Sequence, residues 1–196
     1  MNLSYSLMLR YYKRFNKAKM RYRNIKLGRN PSMYGPFHLR KANNSKFEIG
    51  DNFLLKSGKC INPLSRNIKT AFVLQPEASL KIGNNVGISG SCIWVFSSIT
   101  IGNNVLIGGD SIFMDSNAHS ISYLDRRDPI LDAKNRVDEP ILIEDDVLIG
   151  SRCFILKGVT IGARSVIAAG SIVTKSIPPD SIAGGNPCKV IKNNIN

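Results

Sequence analysis

Residues 143–173 read Ile143-Glu144-Asp145-Asp146-Val147-Leu148-Ile149-Gly150-Ser151-Arg152-Cys153-Phe154-Ile155-Leu156-Lys157-Gly158-Val159-Thr160-Ile161-Gly162-Ala163-Arg164-Ser165-Val166-Ile167-Ala168-Ala169-Gly170-Ser171-Ile172-Val173. An aliphatic residue stands at every sixth position: Ile143, Ile149, Ile155, Ile161, Ile167 and Val173. Helices repeat near 3.6 and strands at 2. A strict six, with Gly, Ala or Asp nearby, therefore means three short flat faces per coil of a β-solenoid. Val147, Cys153, Val159, Ser165 and Ser171 fill a second inward slot four places on. The same grammar occurs earlier at Ile82, Val86, Ile88, Ile101, Val105, Ile107 and Phe113, with a one-residue slip between Ile88 and Val95.

From Ile82 to about Lys192 the chain resembles the hexapeptide-repeat acyltransferases, in particular the maltose, galactoside and polysaccharide O-acetyltransferases. The resemblance implies an all-β solenoid, a left-handed parallel β-helix. Its hand comes from the resemblance alone, because periodicity gives no sense of rotation and parallel crossovers are otherwise right-handed. One coil of 18 residues advances about 4.8 Å. The stretch 143–178 then makes two coils, and the hexads before Phe113 make about two more.

Charge is unevenly placed. Residues 1–47 hold 12 of the 27 Lys and Arg and no acid, while the remainder has 15 basic and 14 acidic residues. Leu3, Leu7, Tyr11, Phe15, Ala18, Tyr22 and Ile25 recur at helical spacing, flanked by Arg10, Lys13, Arg14, Lys17, Lys19, Arg21 and Arg23. A basic amphipathic helix packs its stripe on the first coil or on a neighbouring subunit, or lies on an anionic membrane; nucleic acid is disfavoured. The expected division is a basic helical segment and linker at 1–46, broken near Gly28-Arg29-Asn30-Pro31, and a β-helix domain at 47–192 with distorted first coils. No apolar run reaches a membrane span, and Met1 to Leu9 makes a poor signal-peptide core. A transit peptide is the weaker reading of the Arg-rich start. Cys60, Cys92, Cys153 and Cys188 form no CxxC pair, and Cys92 and Cys153 fall in small inward slots. This pattern implies core thiols and a reducing cytoplasm, at most its membrane face.

Between Phe113 and Ile143 the repeat is interrupted for thirty residues, a multiple of six, so the helix resumes in register. The interruption is polar and turn-rich and should project as a loop at 119–142, where function sits on a rigid scaffold. His119 opens it, six residues after Phe113, in Asp115-Ser116-Asn117-Ala118-His119-Ser120. A lone loop histidine is ordinarily solvated surface. The resemblance makes His119 the general base, which suits a hydroxyl that must lose its proton as it attacks a thioester.

The resemblance also assigns the Ser151 backbone amide to the oxyanion; its ordinary role is a turn of the repeat. Asp115 and Asn117 either orient the imidazole and hold acceptor hydroxyls or are loop structure. The implied donor is acetyl-CoA, lying against Ala168, Ala169 and Gly170, with Thr174, Lys175, Pro187 and Lys189 at its nucleotide end. Simple turn sterics and solvated lysines are the alternatives. No P-loop or GxGxxG fingerprint is present, and Gly-Asn-Asn in the repeat is turn geometry.

The reading is an acetyl-CoA-dependent O-acetyltransferase acting on a sugar hydroxyl, needing no metal and working as a homotrimer. The alternatives are N-acetylation of an amino sugar, O-acetylation of serine, and a non-catalytic scaffold. With only His38 and His119, a γ-class carbonic anhydrase site of three histidines cannot be built.

Overall fold

The computed structural model describes residues 3–58, 61–62 and 68–193; Cys60 lies outside them. Each coil contributes one strand to each of three parallel sheets. The first coil holds β1 (Lys26–Leu27), β2 (Ser32–Tyr34) and β3 (His38–Lys41). The second holds β4 (Lys46–Ile49), β5 (Leu54–Lys56) and β6 (Ala71–Leu74), and the third β7 (Ser79–Ile82), β8 (Gly87–Ser89) and β9 (Cys92–Val95). The fourth holds β10 (Ser98–Ile101), β11 (Leu106–Ile107) and β12 (Ile112–Met114). After the loop come β13 (Ile141–Ile143), β14 (Leu148–Ile149) and β15 (Phe154–Leu156), then β16 (Thr160–Ile161), β17 (Val166–Ile167) and β18 (Ile172–Val173). Finally β19 (Ser181–Gly184) extends the second sheet, and β20 (Lys189–Asn193) pairs antiparallel with it.

The hexad residues are the core. Ile143, Ile149, Ile155, Ile161, Ile167 and Val173 are all at most 1% exposed. Each side chain of this kind contributes roughly 2 kcal/mol by leaving water. Register stacks like on like: Ile82, Ile101, Ile143 and Ile161 in one column, and Phe72, Ile93, Phe113, Ile155 and Val173 in another.

Corners stack as well. Asn52, Asn85, Asn104 and Asp146 all adopt positive φ, which Asn and Asp tolerate. Their side chains bond from coil to coil: Asn52 Nδ2 donates to Asn85 Oδ1, Asn85 Nδ2 to Asn104 Oδ1, and Asn104 Nδ2 to Asp146 Oδ1, each at 2.9 Å. A Cβ at Gly83 would lie 2.5 Å from the Gly102 carbonyl oxygen, so only glycine fits that close approach.

Three expectations are corrected. The solenoid begins at Lys26, inside the segment read as linker: Leu27, Met33 and Leu39 are six apart, and β1 to β3 pair with β4 to β6. Gly28-Arg29-Asn30 is the first corner. The slip does lie between Ile88 and Val95, but as a short step to Ile93 rather than a long one to Val95, since Phe113 pairs with Ile93 and Val95 with Leu74. The step from Ile88 is therefore five, which turns Cys92 outward and puts Ser91 in the inward slot.

The amino-terminal helix α1 (Leu3–Tyr22) covers the open end of this solenoid, but not with the apolar stripe. Its buried residues are Asn16 and Met20. Asn16 Nδ2 donates to the carbonyls of Met33 and Gly35 at 3.1 and 2.9 Å, satisfying edge acceptors that no further strand reaches. Lys19 donates to Phe37 O at 2.8 Å and lies over its ring.

Candidate active site

The loop leaves at the edge between the third and first sheets. Asp115 comes two residues after Phe113 and so points inward, where Val95 and Leu74 stand one and two coils earlier. It is fully buried, and its oxygens accept the N–H groups of Phe96 and Ser97 at 2.7 and 2.8 Å. Burial pushes its carboxyl up while these amides oppose the shift. Asp115 therefore latches a corner and cannot reach an acceptor, contrary to the role considered for it. Its carbonyl accepts Glu139 N at 2.9 Å, and the Asn117 N–H donates to Val137 O at 3.1 Å, so outgoing and returning chain form an antiparallel neck around the Ser116–Asp138 bridge.

Beyond the neck, Ala118 sits at φ +61°, a strained conformation for a residue with a Cβ, steadied by its N–H on Ser116 Oγ at 2.8 Å. His119 comes next. Its Nδ1 lies 2.6 Å from Asp132 Oδ2, and the Ser120 N–H binds Asp132 Oδ1 at 2.7 Å. The bond from His119 first, and the Ser120 amide second, hold the Asp132 carboxyl below the usual carboxylate range. An ionised carboxylate only accepts, so the proton of a neutral imidazole resides on Nδ1 and Nε2 carries the free lone pair. The His119 side chain is 68% exposed, that of Asp132 only 16%: an anchored ring with an open face.

Asp132 is the partner of His119 that sequence reasoning missed. It sits in α2 (Pro129–Lys134), whose N-cap Asp128 accepts from Ile130 and Leu131. Asp128-Pro129 is a helix-start signal, and reading it would have fixed Asp132 on a short rigid turn. Asp125 binds Ser120 Oγ and Asn135 Nδ2, at 2.7 and 2.9 Å, and ties the loop together. Among the described residues no cluster is arranged to hold a metal ion.

The remaining site residues lie elsewhere on the prism. Ser151 turns the corner between the second and third sheets, across the width of the third sheet from the loop's exit. Among the described residues its N–H donates to no acceptor. Ala169 and Gly170 stack under it: Gly170 N donates to Ser151 O at 2.9 Å, and a Cβ on Gly170 would meet nothing within 4 Å. Ala168 packs against Gly184, whose register partner is Lys189, so that lysine belongs to this corner. Pro187 is exposed beside it; Thr174 and Lys175 are exposed past β18, toward the other edge. The candidate residues thus fall into two groups, His119 with Asp132 at one edge of the third sheet and Ser151 with Ala169 and Gly170 at the other.

Comparison with known proteins gives this arrangement a family. A hexapeptide-repeat-containing acetyltransferase from Vibrio cholerae O1 biovar eltor, complexed with acetyl coenzyme A, is 37% identical; the match covers 66% of this chain and 70% of that one, with a TM-score of 0.55. The chain belongs to the hexapeptide-repeat acetyltransferases. A family model described as the hexapeptide repeat of succinyl-transferase matches residues 98–114 and 140–175. A galactoside acetyltransferase in complex with coenzyme A is 25% identical, over 96% of this chain and 82% of that one, with a TM-score of 0.55. The 2,3,4,5-tetrahydropyridine-2,6-dicarboxylate N-acetyltransferase of Staphylococcus aureus (strain Newman) is 53% identical over 53 residues, 27% of this chain. The match spans only 22% of that relative's length. The left hand of the solenoid is the hand of this hexapeptide family.

If His119 is the base, Asp132 is the residue that positions it, and Asp132→Asn tests this. The variant should lose about 10-fold or more in kcat, since it removes the group that fixes the tautomer, with both Michaelis constants nearly unchanged. The folded Asp132 carboxyl is depressed, so its contribution to loop order is present above the usual carboxylate range and lost as pH falls through the lower folded value. Asp132→Glu, which keeps the carboxylate, should recover part of the loss; a raised Michaelis constant for either substrate, or no recovery in Asp132→Glu, would mean a merely structural role.

Proposed function

We propose that this chain transfers an acetyl group from acetyl-CoA to a hydroxyl of a saccharide, such as a surface polysaccharide or its precursor. The observation that carries this reading is the His119–Asp132 pair, with Nε2 free and facing solvent. Nε2 takes the hydroxyl proton as the oxygen attacks the thioester carbonyl; the C–S bond then breaks, and the proton passes to the departing thiolate. An acetyl ester and free CoA result. A hydroxyl needs such a base, whereas a neutral amine attacks unaided, so a built base favours the O-acetyl reading over the N-acetyl one.

In the same reading the enzyme is a homotrimer. The two groups of residues lie at opposite edges of one sheet, and a neighbouring copy can bring its Ser151 amide, unpaired here, to the oxyanion opposite His119. Ala168, Ala169 and Gly170 then border the pantetheine arm, and Thr174, Lys175, Pro187 and Lys189 its nucleotide end. Asn117, partly exposed beside the histidine, contacts the acceptor. Cys92, Cys153 and Cys188 are free thiols, which suits a reducing, acetyl-CoA-containing cytoplasm.

The test is transfer from labelled acetyl-CoA to a panel of oligosaccharides, amino sugars and serine, with neutral hydroxylamine added afterwards. The expected label is a hydroxylamine-labile ester on a saccharide. Label only in a stable amide would overturn the O-acetyl reading, and release of acetate to water alone would overturn the choice of acceptor.

A further inference from the structure

We infer that the outer face of α1 is a docking surface for an anionic lipid bilayer. This is independent of the acceptor's identity. At about 100° per residue, Asn16 and Met20, which seal the solenoid, fall on one side of the helix. Leu3, Leu7, Tyr11, Phe15 and Tyr22 fall on the other, and they are 50–86% exposed. A stripe this apolar is ordinarily what anchors a helix to its protein. Here a different face does the anchoring, through the two Asn16 hydrogen bonds and the buried Met20, and the stripe is left outward. Tyr11 and Phe15 stack within it, centroids 5.6 Å apart and planes 13° from parallel.

The charges select the occupant. Arg10, Arg14, Lys17 and Arg21 line one flank of the stripe, and none has an ion-pair partner among the described residues. A second copy offers no matching surface charge in bulk: residues 1–47 hold no acid, and the rest of the chain is balanced at 15 basic to 14 acidic. An apolar, aromatic stripe edged by uncompensated arginines and lysines is what an anionic headgroup layer accommodates. The rings and leucines enter the acyl boundary while the cations meet phosphates. No helix among the described residues is long and apolar enough to cross a membrane, so any contact through α1 is peripheral.

The experiment uses the full chain and sedimentation with sucrose-loaded vesicles, of phosphatidylcholine alone or mixed with one part in three of phosphatidylglycerol. Binding should require the anionic lipid and fall at least about 10-fold between roughly 0.1 and 1 M salt, as the Debye length shrinks. The triple variant Leu7→Ser/Tyr11→Ser/Phe15→Ser, whose sites are exposed, should lose binding while keeping its circular dichroism, oligomeric mass and acetyl transfer to a soluble acceptor. So should Arg10→Gln/Arg14→Gln/Arg21→Gln. No binding by the wild type, equal binding by the variants, or equal binding to phosphatidylcholine alone would overturn the inference. A fall in oligomeric mass in the Leu7 triple variant would overturn it too, by showing that the stripe is a contact between copies. Because partitioning is read apart from turnover, an inactive chain that still binds vesicles would count against the acetyltransferase reading alone.

Discussion

Asp115→Ala is expected to lower the unfolding free energy by about 2–6 kcal/mol, because two part-buried N–H groups lose their acceptor at about 1–3 kcal/mol each. The donors are Phe96 and Ser97, which no longer stack on a regular coil: the chain must turn there after the five-residue step beyond Ile88. Above the latch, Trp94 and Phe96 pack at 5.0 Å, and the Arg136 guanidinium lies 4.8 Å over Phe96 while pairing with Asp138 at 2.9 Å. Loosening the corner therefore loosens the returning arm of the catalytic loop. Urea denaturation monitored by the single tryptophan, Trp94, reads this directly. Asp115→Asn, which keeps one carbonyl oxygen, should lose less. If Asp115 instead held the acceptor, its alanine variant would keep the wild-type midpoint and raise only the acceptor's Michaelis constant.

That difference between a latch and a ligand was legible in the sequence. Phe113 points inward, and parity puts Asp115 on the same side two residues later; its nearness to His119 in sequence suggested chemistry instead. The core columns from Ile101 onward were readable, because burial repeats every six residues and each misplaced side chain would face water. Leu27, Met33 and Leu39 obey the same rule, yet Gly28-Arg29-Asn30-Pro31 reads as the break after a helix, so the first coil passed for a linker. Cys92 was misplaced because a five-residue step inverts the face of the residues after it. His119 stood out by breaking the aliphatic frame at its mouth. Asp132, thirteen residues away in an aperiodic loop, had no frame to break, and only the cap at Asp128 marks the turn that holds it. The stripe on α1 was recognised, but a helical period shows that a face is apolar and not what that face touches.

His119, anchored by Asp132 and open at Nε2, is the base proposed to remove the acceptor's proton. Losing a general base costs about 10²–10⁴ in rate. His119 is exposed and, among the described residues, its ring bonds to Asp132 alone, so its removal should leave the core undisturbed. The CoA-binding residues proposed here lie at the opposite edge of the third sheet or beyond β18, so donor affinity should hold. The decisive measurement is steady-state acetyl transfer by His119→Ala, with acetyl-CoA affinity measured on the same preparation. The expected result is a kcat lowered at least about 100-fold with donor affinity within about two-fold; a well-folded variant that turns over at nearly the wild-type rate would rule His119 out as the base.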